Sequence, residues 1–381
     1  MKRIFANLAI ALVSSAIALG FAEFVVRMLY KDETSLFPRY HTDYTYGKYR
    51  IRGYRPNMEY WRSSVDGSWK FTTNSRGFHN TREIPYSKPT GTLRVLSLGD
   101  SHTQGSEVRQ SQTFSSVLER ALTRPDRPAE VINTGVSGFG TAEQIVLLEN
   151  EGVKYRPDVV VLAFFANDFD DNLKSDLFGL DTQGNIVEKS HEYLPGVKVQ
   201  NFVYAIPGIR WLSENSYFYS MLFNKAWIFA KWQLSRNTAK TFSKEPGEQP
   251  TEIGGFEYTI PQRVTPFQIN LAFALVDRMQ KFCAANGIRL IVVDIPAYAS
   301  EPYRAVPSLT QAMLERLHGL GVEVVPSHSL FAPYDGATEI HVPHGERHMS
   351  EFAHTIIGVE VARRVMGSAS TSGVPGAKAS P

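Results

Sequence analysis

The sequence predicts an α/β fold: a three-layer α/β/α sandwich around a central parallel sheet, with an N-terminal membrane helix before it and a helical insertion within it. Three observations lead there. From residue 94 to residue 366, short apolar runs alternate with amphipathic segments, the pattern of successive βαβ units. The run VVVLAFF, residues 159–165, is apolar throughout, as a strand covered on both faces must be. Residues 4–22 form 19 consecutive positions without a charge, close to the length that crosses a bilayer as a helix.

Taken in order, the chain opens on this apolar segment. Lys2 and Arg3 precede it, which holds the N-terminus in the cytoplasm and sends the rest across the membrane. A signal peptide cleaved after the small residues around Gly20 and Ala22 is the alternative. The body is then either tethered to the membrane or secreted, and outside the cytoplasm in both cases. Residues 31–90 are aromatic and basic without a helical period; they are expected to form an irregular extension with short strands, packing on the core. Within it TTNSRGFHN (72–80) reads as a strand followed by a turn.

RVLSLG (94–99), AEVINTG (129–135) and DVVVLAFF (158–165) are the first three strands; IRLIVVDIP (288–296) and VEVVPS (322–327) follow much later. Between and after them, QTFSSVLERAL, TAEQIVLLENEG, TPFQINLAFALVDRMQKFCAANG, SLTQAMLERLHGL and EFAHTIIGVEVARRVM carry the spacing of helices buried on one side. This domain spans 91–367. It is interrupted by an insertion at about 172–262, in which residues 202–232 hold ten aromatic side chains. A helical cap with its own small core is one reading; a substrate lid or a membrane-facing surface is the other. The small, polar residues 368–381 predict a disordered tail.

Composition narrows the function. With 40 basic and 38 acidic side chains, a net charge of +2 gives no reason to expect nucleic acid as a partner. The single cysteine, Cys283, excludes an intramolecular disulfide and reads as a buried structural thiol.

Open α/β sheets place their sites beyond the carboxyl ends of the strands. There the sequence sets Gly99, Asp100 and Ser101 after the first strand, the turn NTGVSGFG (133–140) after the second, Ala166, Asn167 and Asp168 after the third, and HVPHGERHMSEFAH (341–354) before the last helix. Serine needs a base for its proton, and histidine is the usual one. A tetrahedral intermediate needs donors for its oxyanion. The N–H groups of Ser101 and Gly138 and the side-chain amide of Asn167 are candidates, with Gly140 the rival of Gly138. Each residue also has a plainer role: Ser101 as a helix cap, Asp100 as an anchor of its loop, Gly138 and Asn167 as turn residues, and Asp168, Asp170 and Asp171 as a solvated cluster. His341, His344, His348 and His354 fit no zinc spacing.

GDSHTQG, INTGVSGFGT, FANDFDDN and ERHMSEFAH, in that order on those elements, resemble the four blocks of the SGNH (GDSL-like) hydrolase family. TTNSRGF and the apolar N-terminus resemble the membrane-anchored bacterial members. The resemblance implies a flavodoxin-like sheet, Ser101 as nucleophile, Gly138 and Asn167 in the oxyanion hole, and His348 as base. The family's last block usually carries an aspartate two or three residues before the histidine; here Gly345 and Glu346 stand there, so Glu346 is the expected orienting acid. His102 replaces the leucine of GDSL and is expected to be a wall residue. Implied is hydrolysis of carboxylic, foremost acetyl, esters, of which an acylated glycan is one candidate, with no metal or organic cofactor. The alternatives are O-acyl transfer to a cell-surface polysaccharide, which requires a multi-span membrane partner to deliver the acyl group, and a non-catalytic carbohydrate-binding module.

Overall fold

The computed structural model describes residues 1–227, 229, 264–298 and 301–367; the expected tail and much of the insertion's second half lie outside them. Helix α1 (Lys2–Leu29) comes first. Two antiparallel hairpins follow, β1 (His41–Tyr46) with β2 (Tyr49–Tyr54) and β3 (Glu59–Ser64) with β4 (Gly67–Thr72). The short strands expected within the extension are thus paired as two hairpins. The extension's tyrosines hide this pairing in the sequence, because a tyrosine serves as an apolar or a polar residue and blurs the alternation.

The central sheet contains β5 (Leu93–Leu98), β6 (Ala129–Asn133), β7 (Val159–Phe164), and, after the short strands β8 (Phe178–Leu180), β9 (Ile186–Glu188) and β10 (Glu192–Tyr193), β11 (Arg289–Asp294) and β14 (Glu323–Val325); β12 (Ala297–Tyr298) and β13 (Ala305–Val306) form a small separate hairpin. Its order is β14-β11-β7-β5-β6, every neighbouring pair parallel. Counting these five strands along the chain, that is 2-1-3-4-5, the doubly wound order whose switch point lies between the first strand and the third. It is the α/β sandwich that the sequence predicts.

Because side chains alternate across a strand, each strand feeds two cores. Leu96, Leu98, Val160, Leu162 and Val292 face one. Val95, Val159, Val161, Ile291 and Val293 face the other. The first is covered by α4 (Thr141–Asn150), α5 (Asp168–Ser175), α8 (Pro266–Ala285) and α9 (Gln311–Gly319). The second is covered by α3 (Phe114–Leu122) and α11 (Glu351–Gly367). The short helices α2 (Ser101–Gln104) and α10 (Ser327–Phe331) lie at the carboxyl ends of β5 and β14, and α6 (Val197–Val203) and α7 (Ile209–Asn215) belong to the insertion. Cys283 is fully buried on α8, and burial pushes its thiol up to about 12: it is a packing residue.

Candidate active site

β5 and β7 are neighbours whose crossovers leave on opposite faces, so a crevice opens beyond their carboxyl ends. Ser101 stands two residues past Gly99 at the end of β5 and begins α2. This helix has only four residues, so its dipole is that of a single turn. The Asp100 carboxylate fixes the turn: one oxygen accepts from the His102 N–H at 2.8 Å and the other from Asn167 Nδ2 at 3.2 Å. Asp100 is therefore an anchor between the first and third strand ends. Burial raises its pKa to about 6 despite these hydrogen bonds.

The loop before α11 brings in His348, fully buried. Its Nε2 lies 2.9 Å from Ser101 Oγ, and its Nδ1 lies 3.1 Å from Glu107 Oε2. A carboxylate only accepts, so Nδ1 carries the proton and neutral Nε2 receives the serine O–H.

The carboxylate hydrogen-bonded to His348 is thus Glu107, where the sequence pointed to Glu346. The Glu346 carboxylate is 3.9 Å from Nδ1 and is taken by the Arg62 guanidinium of β3. Glu107 also accepts from Ser35 Oγ at 2.9 Å, from the Glu346 N–H at 2.9 Å and from the His348 N–H at 3.3 Å. Burial opposes its charge, but the His348 hydrogen bond, Arg62 and these donors hold it well below the usual carboxylate range. Gly345 explains the exchange. Its φ is +63°, and a Cβ there would fall 2.2 Å from Glu107 Oε1. An aspartate at position 345 would collide with the carboxylate that replaces it. Glu107 itself adopts a left-handed φ of +63°, a strained conformation for a non-glycine residue. Its only trace in the sequence is an acid six residues after Ser101, in no block of the family pattern.

The other histidines separate cleanly. Burial lowers His341 to about 4 and His354 to about 3, and holds His102 well below the usual imidazole range, so all three stay neutral. His102 packs against Phe165 and the His348 ring, with centroids 4.2 and 5.0 Å away, as the expected wall residue. His344 is partly exposed and pairs with Asp66 at 2.7 Å.

The glycine turn after β6 comes to the same rim. Gly138 has φ +75°, and the Arg52 guanidinium lies against it, 2.4 Å from where a Cβ would stand; only glycine fits both demands. Among the described residues the N–H groups of Ser101 and Gly138 donate to no protein acceptor, whereas the Gly140 N–H donates to Glu143 at 3.0 Å. That occupies the rival donor. Tyr54 of β2 braces the turn, its hydroxyl accepting from the Ser137 N–H at 3.0 Å and donating to Gln104 Oε1 at 2.6 Å. The aspartates of α5 are not the solvated cluster the sequence suggested. Asp168 is fully buried, and Asp170 is 7% exposed and accepts from Gln268 at 2.5 Å, because α8 covers that face.

A cavity of about 10 Å³ remains behind Glu107, against β3 and β4, room for about one water molecule. A wider one of about 580 Å³ opens at the amino ends of the strands; there Lys88 is paired with Asp158, and its described lining holds neither serine, cysteine nor histidine.

Residues 97–233 match the model of the GDSL-like lipase/acylhydrolase family. The chain carries a domain of that family. The family is described as one of lipases and acylhydrolases, and Ser101, Gly138 and Asn167 fall inside the matched segment while His348 lies beyond it. Among solved structures, a two-domain esterase active on acetylated mannans is similar at 13% identity and a TM-score of 0.39, over 76% of this chain and 52% of that one; this chain spans about half its length. A lipase/acylhydrolase from Enterococcus faecalis is similar at 14% identity and 0.39, over 72% and 96%. A GDSL-like lipase from Bacteroides thetaiotaomicron is similar at 10% and 0.36, over 75% and 93%. No curated protein matches the chain.

Proposed function

We propose that this protein is a serine-dependent hydrolase of short acyl esters, foremost acetyl esters, held outside the cytoplasm by α1. The observation that carries the reading is the line Ser101 Oγ, His348 Nε2, His348 Nδ1, Glu107 Oε2, with steps of 2.9 and 3.1 Å.

In this reading Ser101 Oγ attacks the ester carbonyl and its proton passes to His348 Nε2. Glu107, hydrogen-bonded to His348 Nδ1, holds the ring with Nε2 toward Ser101. The N–H groups of Ser101 and Gly138 and the Asn167 amide receive the oxyanion. His348 returns the proton to the leaving alcohol; water then repeats the sequence on the acyl-serine. Ser101 is only 3% exposed, which favours a small acyl group. Export rests on α1, which is 28 residues long, about 42 Å as a helix, and runs unbroken past the alternative cleavage point at Ala22.

The test is the fate of a labelled acetyl group. Full-length protein is given a labelled acetyl ester with and without an oligosaccharide acceptor. Hydrolysis releases acetate at a rate indifferent to the sugar. Acetylated sugar that grows with acceptor concentration, at the expense of acetate, identifies a transferase instead.

A further inference from the structure

The insertion leaves an unusual amount of apolar surface uncovered. Val199 and Phe202 on α6, Ile206 just beyond it, Trp211 on α7, and Leu222 are 46–73% exposed. Outside the insertion, the large apolar side chains this exposed after Tyr30 among the described residues are Trp61 and Val359, far apart in the chain. A lone exposed apolar residue needs no explanation, whereas a concentration of them marks an interface.

The place of this surface identifies what covers it. The last turns of α1 are clasped to the insertion. The Glu23 carboxylate accepts from Ser216 Oγ at 2.8 Å and from the N–H groups of Tyr217 at 3.1 Å and Phe218 at 2.9 Å. Arg27 donates to the Asn215 carbonyl at 3.1 Å and lies over the Tyr217 ring. Glu23 is the first charge after the uncharged run, so it marks the level at which α1 leaves the hydrocarbon. Asn215 ends α7, one turn beyond Trp211, whose carbonyl accepts from the Asn215 amide at 2.9 Å. The exposed tryptophan is thereby held within a helical turn of the membrane boundary, where aromatic side chains are favoured. Lys198 and Lys225, both exposed, flank the apolar residues as cations suited to lipid phosphates.

We propose that the surface formed by α6, α7 and Leu222 docks into the interfacial layer of the bilayer that α1 spans, on its non-cytoplasmic side. The inference rests on the reading of α1 as an anchor. Its consequence is orientation. The insertion is tied to the N-terminal hairpins through Tyr204, whose hydroxyl accepts from the Arg39 N–H at 2.8 Å, and through Asn201, which accepts from Arg55 at 2.5 Å. Those hairpins carry Tyr54 and Arg62 to the Ser101 rim. Two attachments, one helix and one surface, then fix the site relative to the bilayer, and the ester it meets is one presented at the membrane surface.

The experiment uses full-length protein in phosphatidylethanolamine–phosphatidylglycerol vesicles, with buried Cys283 left in place. An environment-sensitive fluorophore is attached in turn to Phe202→Cys, Trp211→Cys and Leu222→Cys, to Val13→Cys within α1, and to Ala312→Cys at an exposed position of α9. Lipid carrying a quencher near the headgroup is the probe. Blue-shifted emission and quenching about twofold or more above that at position 312 are expected at 202, 211 and 222, together with insertion of position 13. If position 13 is in the bilayer while 202, 211 and 222 behave like 312, docking is refuted and the anchor stands. If position 13 is also outside, the anchor and the docking that rests on it both fall. Blue-shifted but unquenched labels in the insertion mean that protein covers the surface, which refutes docking as well.

Discussion

The Ser101 rim and the insertion depart from ordinary burial in opposite senses. At the rim, Ser101, Glu107 and His348 are polar and at most 3% exposed. In the insertion, Phe202 and Trp211 are apolar and 73% and 64% exposed. Buried polar groups and exposed apolar patches are the two informative kinds of exception. The first is tolerable because Ser101 Oγ, both ring nitrogens of His348 and both carboxylate oxygens of Glu107 are hydrogen-bonded. The second is tolerable in water only if something else covers it. A site is thus recognised by its internal satisfaction, and an interface by its lack of it.

The most severe way to break the rim's side of this comparison is to remove an end of the proton path. Ser101→Ala or His348→Ala is expected to lower kcat on short p-nitrophenyl esters by at least ~10³, as for members of a triad, with the circular dichroism spectrum kept. His344→Ala should stay near wild type, since His344 pairs with Asp66. A reversed ranking of the two histidines would move the base.

The two glutamates sharpen it further. Glu107→Gln keeps the shape but loses the charge that holds the Nδ1 tautomer, and a loss of ~10²–10⁴ in kcat is expected by analogy with an amide replacing a triad acid. Glu346→Gln leaves that hydrogen bond intact and should cost less than about tenfold. Equal losses would show that both carboxylates serve His348. Next in size, Asn167→Ala is expected to cost ~10²–10³ in kcat with little change in KM, the loss for one oxyanion donor. An effect confined to KM would make Asn167 a binding residue.

The smallest expected effect concerns the cost of burying charge near the rim. Burial raises Glu143 from 4.5 to about 8, although Arg52 opposes the shift. Its folded value lies above its unfolded one, so the folded state binds the extra proton between them. Stability therefore falls as pH rises from about 4.5 to about 8 and then levels. Glu143→Gln still accepts from the Gly140 N–H and is free of this penalty. Its Tm should gain on wild type by ~2–4 °C or more between pH 5 and pH 9. A constant difference in Tm would mean that Glu143 ionises in place.

Much of this molecule was legible in its sequence. The runs read as strands became β5, β6, β7, β11 and β14, and the five amphipathic segments became α3, α4, α8, α9 and α11, because periodicity of apolar residues is a local property set by which faces are covered. The placement of Ser101, Gly138, Asn167 and His348 was legible for a related reason: each follows a strand or precedes a helix at the edge where α/β sheets hold ligands.

Three matters were decided only in three dimensions. The N-terminal hairpins pair residues whose tyrosines give no alternation to read. The aspartates after β7 look solvated in sequence, and α8, about a hundred residues away, buries them. The carboxylate that meets His348 is the clearest case. Glu346 is two residues from His348 in the chain, and Glu107 is 241 residues away in sequence, yet Glu107 reaches Nδ1. Proximity in sequence fixes where a backbone passes, but a hydrogen bond depends on where a side chain points. That direction was settled by the left-handed turn at Glu107, the space left by Gly345, and an arginine on β3 that draws Glu346 aside.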